Sequence, residues 1–259
     1  MIVDYHMHLR DPEGDIDHTV GGVERFVEVA AERGVDEIGF TEHVYYFEST
    51  RAFWKPTYLA ERCAYDLDTY VDAVLEAKRQ GMPVKLGLEV DYVGGGERQD
   101  ELASILEPYP WDFLLGSVHW LGEVAVDMQP GVWAEASVEE VWAQYFAALA
   151  ELASSGHVDV LAHPDLAKIF GQRPERIEYP ALGGVALEVS TAGYHKPVGE
   201  IYPDLAMLGA RPPITLASDA HAPQDVGRDF DRALEHAHAA GYETVTVFEA
   251  RQGRQEPLG

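Results

Sequence analysis

This chain is short of cysteine and of positive charge. Cys63 is the only cysteine among 259 residues, so no internal disulfide can form and a cytoplasmic, reducing setting is expected. Lysine and arginine together number 19 against 45 aspartates and glutamates, a formal net charge of −26. A surface this acidic repels phosphate backbones, and with no basic stripe to offset it a nucleic-acid partner is not expected. The chain also lacks an apolar run long enough to span a bilayer. Met1 leads straight into a strand-like run, so neither a cleaved leader nor a membrane partner is expected. Without repeats, low-complexity segments or linker-like breaks, one domain over residues 1–259 is the simplest organisation, and that length can bury a barrel-sized core. The oligomeric state is not readable.

What the chain does have is alternation. Short apolar, β-branched runs at 2–6, 37–41, 84–90, 113–118, 158–162, 185–190, 214–218 and 244–248 are candidate strands. Helix-period segments lie between them. In VERFVEVAAERG, residues Val23, Phe26, Val27 and Ala30 fall at i, i+3, i+4 and i+7. In SVEEVWAQYFAALAEL, Ser137 and Glu140 are spaced as a capping box, ahead of a stripe of Val138, Val141, Trp142, Tyr145 and Leu149. Such βα alternation predicts a parallel sheet with helices outside, either a barrel or a doubly wound sheet. The connections at 44–65 and 120–136 are long and aromatic, carrying Tyr45, Tyr46, Phe47, Phe53, Trp54, Tyr58, Trp120 and Trp133. They could form a substrate lid or simply pack on themselves.

Histidines and carboxylates gather at the predicted strand ends. In IVDYHMHLRD, alternation puts His6 and His8 on one face, close enough to share an ion. GFTEH ends in His43, VKLGLEVDY carries Glu89, LGSVHW carries His119, VLAHPD carries His163, and TLASDAH carries Asp219 and His221. In parallel α/β folds these ends share the face where active sites form. His157, His236 and His238 lie off that face and read as surface residues, while His195 stays ambiguous.

The HxH start, TEH, GLE, GSVH, AHPD and SDAH, in that order along nearly the whole chain, resemble the polymerase-and-histidinol-phosphatase (PHP) family. Within it, GSVHWLG, VSTAGYHKPVGEIYP and SDAHAPQDVG resemble the monofunctional histidinol-phosphatases. The resemblance implies an α/β fold, a distorted (β/α)7 barrel with two or three metal ions at the carboxyl ends of its strands. His6, His8, Glu89 and Asp219 would hold the first ion, and Glu89 would bridge to a second held by His119 and His163. A third would lie among His43, His221 and a ligand from the first loop. That loop, LRDPEGDIDHT, is lengthened here; His18 is favoured, then Asp15, then Asp11. Glu89, Asp219 and His221 would carry the catalytic roles.

The residue chemistry agrees. Imidazole and carboxylate donors without thiolate suit Zn, Mn or Fe, and paired divalent ions serve phosphomonoester hydrolysis through a metal-bound hydroxide. The resemblance implies a small-molecule phosphate ester as partner, foremost L-histidinol phosphate in histidine biosynthesis. Lys168, Arg173, Lys196 and Arg228 are candidate phosphate-binding cations, each balanced against ordinary surface charge. Glu188 is a candidate for the cationic amino-alcohol end, or else a structural carboxylate. Another phosphate ester or a nucleotide is the nearest alternative. A metal-dependent amidohydrolase is disfavoured because no strand end carries lysine, and a non-catalytic scaffold because nearly all ligands are retained.

Overall fold

In the computed structural model, the β-branched runs pair in parallel and the helix-period segments flank them. Residues 1–54, 57–129 and 131–259 are described, without the side chains of residues 57 and 58, so Tyr58 of the aromatic loop lies outside the described residues. The first elements are β1 (Val3–Asp4), α1 (Val20–Glu32), β2 (Glu37–Phe40), α2 (Thr57–Arg62), α3 (Leu67–Arg79), β3 (Val84–Leu86) and β4 (Glu89–Asp91). Then come α4 (Gly96–Leu106), β5 (Leu115–Ser117), β6 (Trp120–Leu121), β7 (Val124–Ala125), α5 (Val138–Ser154) and β8 (Val160–Leu161). The remainder are β9 (Ala186–Ser190), α6 (Leu205–Leu208), β10 (Ile214–Ala217), α7 (Phe230–Ala239), β11 (Thr244–Glu249) and β12 (Gln252–Pro257).

β1, β2 and β3 form one parallel sheet in that order, and β10, β9, β8, β5 and β4 form another. The run read as one strand over 84–90 is therefore two: β3 pairs with β2 and β4 with β5, so the chain steps between sheets at Gly87 and Leu88. A Cβ on Gly87 would stand 2.9 Å from the Phe113 ring, and one on Gly39 would stand 2.7 Å from it. Both glycines make room for Phe113, which stacks on Tyr5 with centroids 4.9 Å apart. At the other margin β1 and its extension bond to the β10 segment, Tyr5 N–H to Leu216 O at 3.0 Å and His8 N–H to Ala220 O at 2.8 Å.

The helices form as their sequence patterns require. In α1, Val23, Phe26 and Ala30 are buried and Thr19 caps the start by accepting from Gly22 N–H. In α5 the Ser137–Glu140 capping box is present in both directions, and Val141, Trp142, Tyr145 and Leu149 are buried. The last predicted strand departs from expectation. It does not extend the parallel sheets: β11 pairs antiparallel with β12, whose polar sequence QGRQEP carries no strand pattern. No helix among the described residues is long and apolar enough to cross a membrane.

Candidate metal centre

Strand ends deliver the chemistry to one place. Just past β1, His6 and His8 are both wholly buried. Their backbone is tied to the segment carrying Asp219, for Ala220 N–H donates to His6 O at 3.2 Å. Asp4, one turn of the pleat earlier, fixes that segment too. Its carboxylate accepts from Ser218 N–H at 2.8 Å, Ser218 Oγ at 2.6 Å and Gly227 N–H at 2.8 Å. Burial pushes Asp4 up to about 6 against those bonds. His163 and Asp219 take positive φ values of 27° and 53°, a left-handed backbone that non-glycine residues adopt at a cost and that clusters at functional sites.

Glu89, fully buried, is the centre of the cluster. His163 Nε2 lies 3.2 Å and His119 Nε2 3.6 Å from its Oε1. On the other oxygen, Oε2, stand His43 Nδ1 at 2.5 Å, His6 Nε2 at 3.5 Å and His8 Nε2 at 3.8 Å. Asp219 Oδ1 lies 3.4 Å from His8 Nε2, 3.6 Å from His6 Nε2 and 3.5 Å from His221 Nδ1. Three overlapping groups have donor atoms within 4.8 Å of one another: His6, His8 and Glu89; His43, Glu89 and His119; and His8, His43 and His221.

A carboxylate behind the ring orients several of these imidazoles. His6 Nδ1–H donates to Glu188 at 2.8 Å, His8 Nδ1–H to Glu42 at 3.2 Å and His119 Nδ1–H to Asp91 at 2.7 Å. Holding Nδ1 turns Nε2 inward and raises its basicity, as in metal sites generally. Yet His6 Nε2 and His8 Nε2 are buried with no hydrogen-bond partner, and the buried His43 Nδ1 and Glu89 Oε2 crowd each other at 2.5 Å without hydrogen-bond alignment. Buried donors and acceptors are rarely left so. A divalent cation satisfies all of them at once, and a nitrogen–oxygen set without thiolate suits Zn, Mn or Fe. The residues present fit two or three such ions.

The charge distribution follows from the geometry. Burial disfavours the charge on His6, but Glu188, Glu89 and Asp219 outweigh it and raise the ring well above its usual value. His119 is likewise pushed up to about 10, with Asp91 and Glu89 overcoming burial. Burial and the neighbouring His8 drive His43 well down. The same causes take His221 to about 4, although its rim-facing ring is 45% exposed. Glu89 stays ionised far below its usual range because His43, His6 and His119 overcome its burial.

The remaining sequence candidates separate. His18 does not join the clusters: its Nε2 faces Glu42 at 3.2 Å, and its ring packs against Phe47 and Tyr70. Glu42, already holding His8, stands between His18 and the centre, so the third cluster contains His8 in its place. Asp11 Oδ1 is occupied by the N–H groups of Glu13 and Asp15, and Asp15 is exposed. Glu188 is fully buried, bonded to His6 and to His163 N–H, and so cannot meet a cationic substrate end. Lys168 is also fully buried and fully engaged, at 2.7 Å from Asp165, 2.5 Å from Asp204 and 2.8 Å from Ile201 O. Its charge neutralises buried carboxylates and is not free for phosphate. Arg173 pairs with Glu200 and reaches the same network at Asp204, 3.9 Å away, and Arg228 pairs with Asp225 at 2.8 Å. Lys196 is different: it is exposed, has no ion pair among the described residues, and its charge helps to hold Asp219 below the carboxylate range. His195 pairs with Asp229 at 2.7 Å. His157 and His238 lie off the face as read, and His236 is half-buried against Pro203 O.

Sequence reasoning missed Glu42, Asp91 and Arg10. Asp91 had a signal, being two residues after Glu89 and thus on its face of the strand. Glu42 and Arg10 had none, since both lie in irregular chain. Arg10 is buried and grips Glu42 at 2.8 Å and 3.2 Å with its guanidinium near the Tyr46 ring. The aromatic loops pack on themselves: Tyr45 stacks on His43 at 4.6 Å and meets Trp120 at 5.2 Å and Trp54 at 5.9 Å. They form a wall beside His43.

Known proteins resemble this chain in sequence and in fold. A PHP domain signature matches residues 4–190. A probable histidinol-phosphatase of Deinococcus radiodurans is 32% identical over 248 residues, covering 88% of this chain and 91% of that protein. Among solved structures, the histidinol phosphate phosphatase of Lactococcus lactis, complexed with Zn, L-histidinol and phosphate, superposes with a TM-score of 0.68 at 21% identity over 98% of both chains. A Listeria monocytogenes structure described as a histidinol phosphatase gives 0.71 at 21% identity, over 89% of this chain and 99% of that one. The latter likenesses speak to the fold, and the first two to ancestry. By a signature that takes in both the opening HxH pair and the Glu89 about which the donors converge, the chain belongs to the PHP domain family.

Proposed function

We propose that this chain is a metal-dependent phosphomonoesterase that converts L-histidinol phosphate to L-histidinol and phosphate, built as one distorted (β/α)7 barrel over residues 1–259. The observation that carries the reading is the set of buried, unpartnered imidazole and carboxylate donors converging on Glu89. Its substrate is supported by the histidinol-phosphatases among the relatives. The barrel reading is supported by the bonds of Tyr5 and His8 to the β10 segment and by the step of the chain from β3 to β4. The lone, buried Cys63 supports a cytosolic setting.

In this reading His6, His8, Glu89 and Asp219 would hold one ion and Glu89, His119 and His163 a second, while His43 and His221 line a third position. Divalent ions there supply Lewis acidity to the phosphoryl oxygens and lower the pKa of water. The chain's own part is to keep the donors in the right state. Glu89 and Asp219, held far below the usual carboxylate range, are acceptor-only at neutral pH. His43 and His221, pushed down, are unprotonated and ready to ligate. Glu188, Glu42 and Asp91 fix ring orientation, the Tyr45–Trp54–Trp120 wall excludes water from one side, and Lys196 offers the phosphate a fixed positive charge.

The test is phosphate release from L-histidinol phosphate by metal-reconstituted protein, beside glycerol phosphate and a nucleoside monophosphate. Preference for L-histidinol phosphate of about 10³-fold in kcat/KM, abolished in His119→Ala, is the expected result. A flat profile that collapses in the variant removes the substrate assignment, and no release from any ester removes the phosphatase.

A further inference from the structure

We propose that Asp4 is a positioning residue for the metal centre. Its carboxylate clamps the neck of the loop that carries Asp219 and His221, and so fixes where both donors meet an ion. This rests on the metal-dependent reading and adds to it a residue outside the donor set. In SDAHAPQDVG, the first residue and the last both return to that one carboxylate. Ser218 N–H donates to Asp4 Oδ1 at 2.8 Å, while Ser218 Oγ and Gly227 N–H converge on Oδ2 at 2.6 Å and 2.8 Å. Asp4 is wholly buried, and among the described residues these three donors, not a lysine or arginine, meet its charge. Bonds to an ionised acceptor are roughly twice as strong as neutral ones.

Between its two anchors the loop is shaped by the same stretch of chain. Ala220 N–H donates to His6 O at 3.2 Å, and Ala220 O accepts from His8 N–H at 2.8 Å. Asp219 therefore sits between a pinned Ser218 and a pinned Ala220, in a left-handed backbone with φ of 53°. A non-glycine residue keeps that conformation only where its surroundings impose it. The result is Asp219 Oδ1 at 3.6 Å from His6 Nε2 and 3.4 Å from His8 Nε2. The far end of the loop is equally constrained. Gly227 has φ of +64°, and a Cβ there would stand 2.9 Å from Val35 Cγ2. Beside it Arg33 Nη1 donates to Val226 O at 2.6 Å, and Thr191 Oγ1 to Arg228 O at 2.7 Å. His119 and His163 follow other strands, β5 and β8, and among the described residues the Asp4 side chain makes no hydrogen bond to either segment. The clamp thus acts on one half of the centre, on Asp219 and His221 and not on His119 and His163.

The experiment measures stepwise Zn affinities by chelator competition, and backbone amide exchange of the metal-free protein, in the wild type, Asp4→Asn and Ser218→Ala. Asparagine keeps the shape but offers one acceptor oxygen, so its NH2 faces the N–H of Ser218 or of Gly227. The expected result in Asp4→Asn is one Zn affinity lower by about 10–100-fold while another keeps its wild-type value. The retained ion is the one that His119→Ala loses. Amide exchange quickens over residues 218–228 and not elsewhere, and kcat, lowered at limiting Zn, returns as Zn is raised, with KM unchanged. Ser218→Ala removes one bond of the three and shows the same pattern in smaller measure, which decides the matter if Asp4→Asn does not fold. Unchanged Zn affinities, or an equal loss of every ion with faster exchange throughout the chain, overturn the clamp and leave the metal centre standing. A wild type that binds no divalent ion removes the metal centre and this inference together.

Discussion

His6 and Glu188 are wholly buried and joined by one hydrogen bond, Nδ1–H to Oε2 at 2.8 Å. Alternation places Glu188 on the same strand face as Ser190, and the fold then spends that carboxylate on a ring of the metal cluster. Glu188→Gln keeps the shape and removes the charge. The expected outcome is metal affinity weaker by about 10–100-fold, measured by competition with a chelator, with activity returning as metal is raised. Unaltered affinity would contradict this orienting role.

Metal uptake releases protons. In the metal-free protein His6 is raised well above its usual value and His119 to about 10, since their carboxylate neighbours outweigh burial. Both rings are cationic at neutral pH, and each must lose its Nε2 proton to bind an ion. Zinc added at neutral pH therefore acidifies an unbuffered solution, and apparent affinity rises with pH. The linkage for stability has the opposite slope. Folded pKa values above the unfolded value of about 6.5 stabilise the metal-free fold fully below that pH, and the contribution is lost as pH rises towards about 10. Indicator-dye titration and the Tm of chelated protein across this range check both. Proton uptake, or a Tm that climbs with pH, would contradict the assignment.

Lys168 separates stability from catalysis. Lys168→Met leaves Asp165 and Asp204 without their shared cation, and burial already pushes Asp165 up to about 6. Loss of about 3–5 kcal/mol is expected in urea unfolding, with KM for the phosphate ester unchanged in the folded protein. A raised KM at undiminished stability would restore Lys168 as a phosphate ligand.

Gly39 is a packing requirement. An added methyl would meet the Phe113 ring at 2.7 Å and 2.8 Å and Tyr5 at 3.1 Å, in a core where neither aromatic can swing away. Gly39→Ala should cost about 1–3 kcal/mol in chemical denaturation. A neutral result would show that Phe113 has room to move.

The ligand face was legible because it needs only local rules. Period two puts His6 with His8, and parallel strands in an α/β chain send their carboxyl ends to one side, which gathers Glu89, His119, His163 and Asp219. What local rules left open was left open for a common reason. Lys168 and Glu188 have the right charge near the right strand ends, yet whether a charge faces ligand or neutralises a buried partner depends on Asp204 and His6, which are 36 and 182 residues away in sequence. His18 lies at a suitable spacing, but Glu42 from the next strand end intercepts it. β12 carries no pattern because nearly all its side chains face solvent.

The sequence by itself determined the alternation of strand and helix, the identity of most donor residues and, through their order, the family. Those are properties of residue type and of periods of two and 3.6, which a chain carries wherever it folds. Tertiary structure alone decided which carboxylate stands behind which imidazole, that His18 meets Glu42, and which charges near the strand ends neutralise buried partners. Each of these depends on distances between segments far apart in the chain, and electrostatic and hydrogen-bond energies are settled by such distances and by burial.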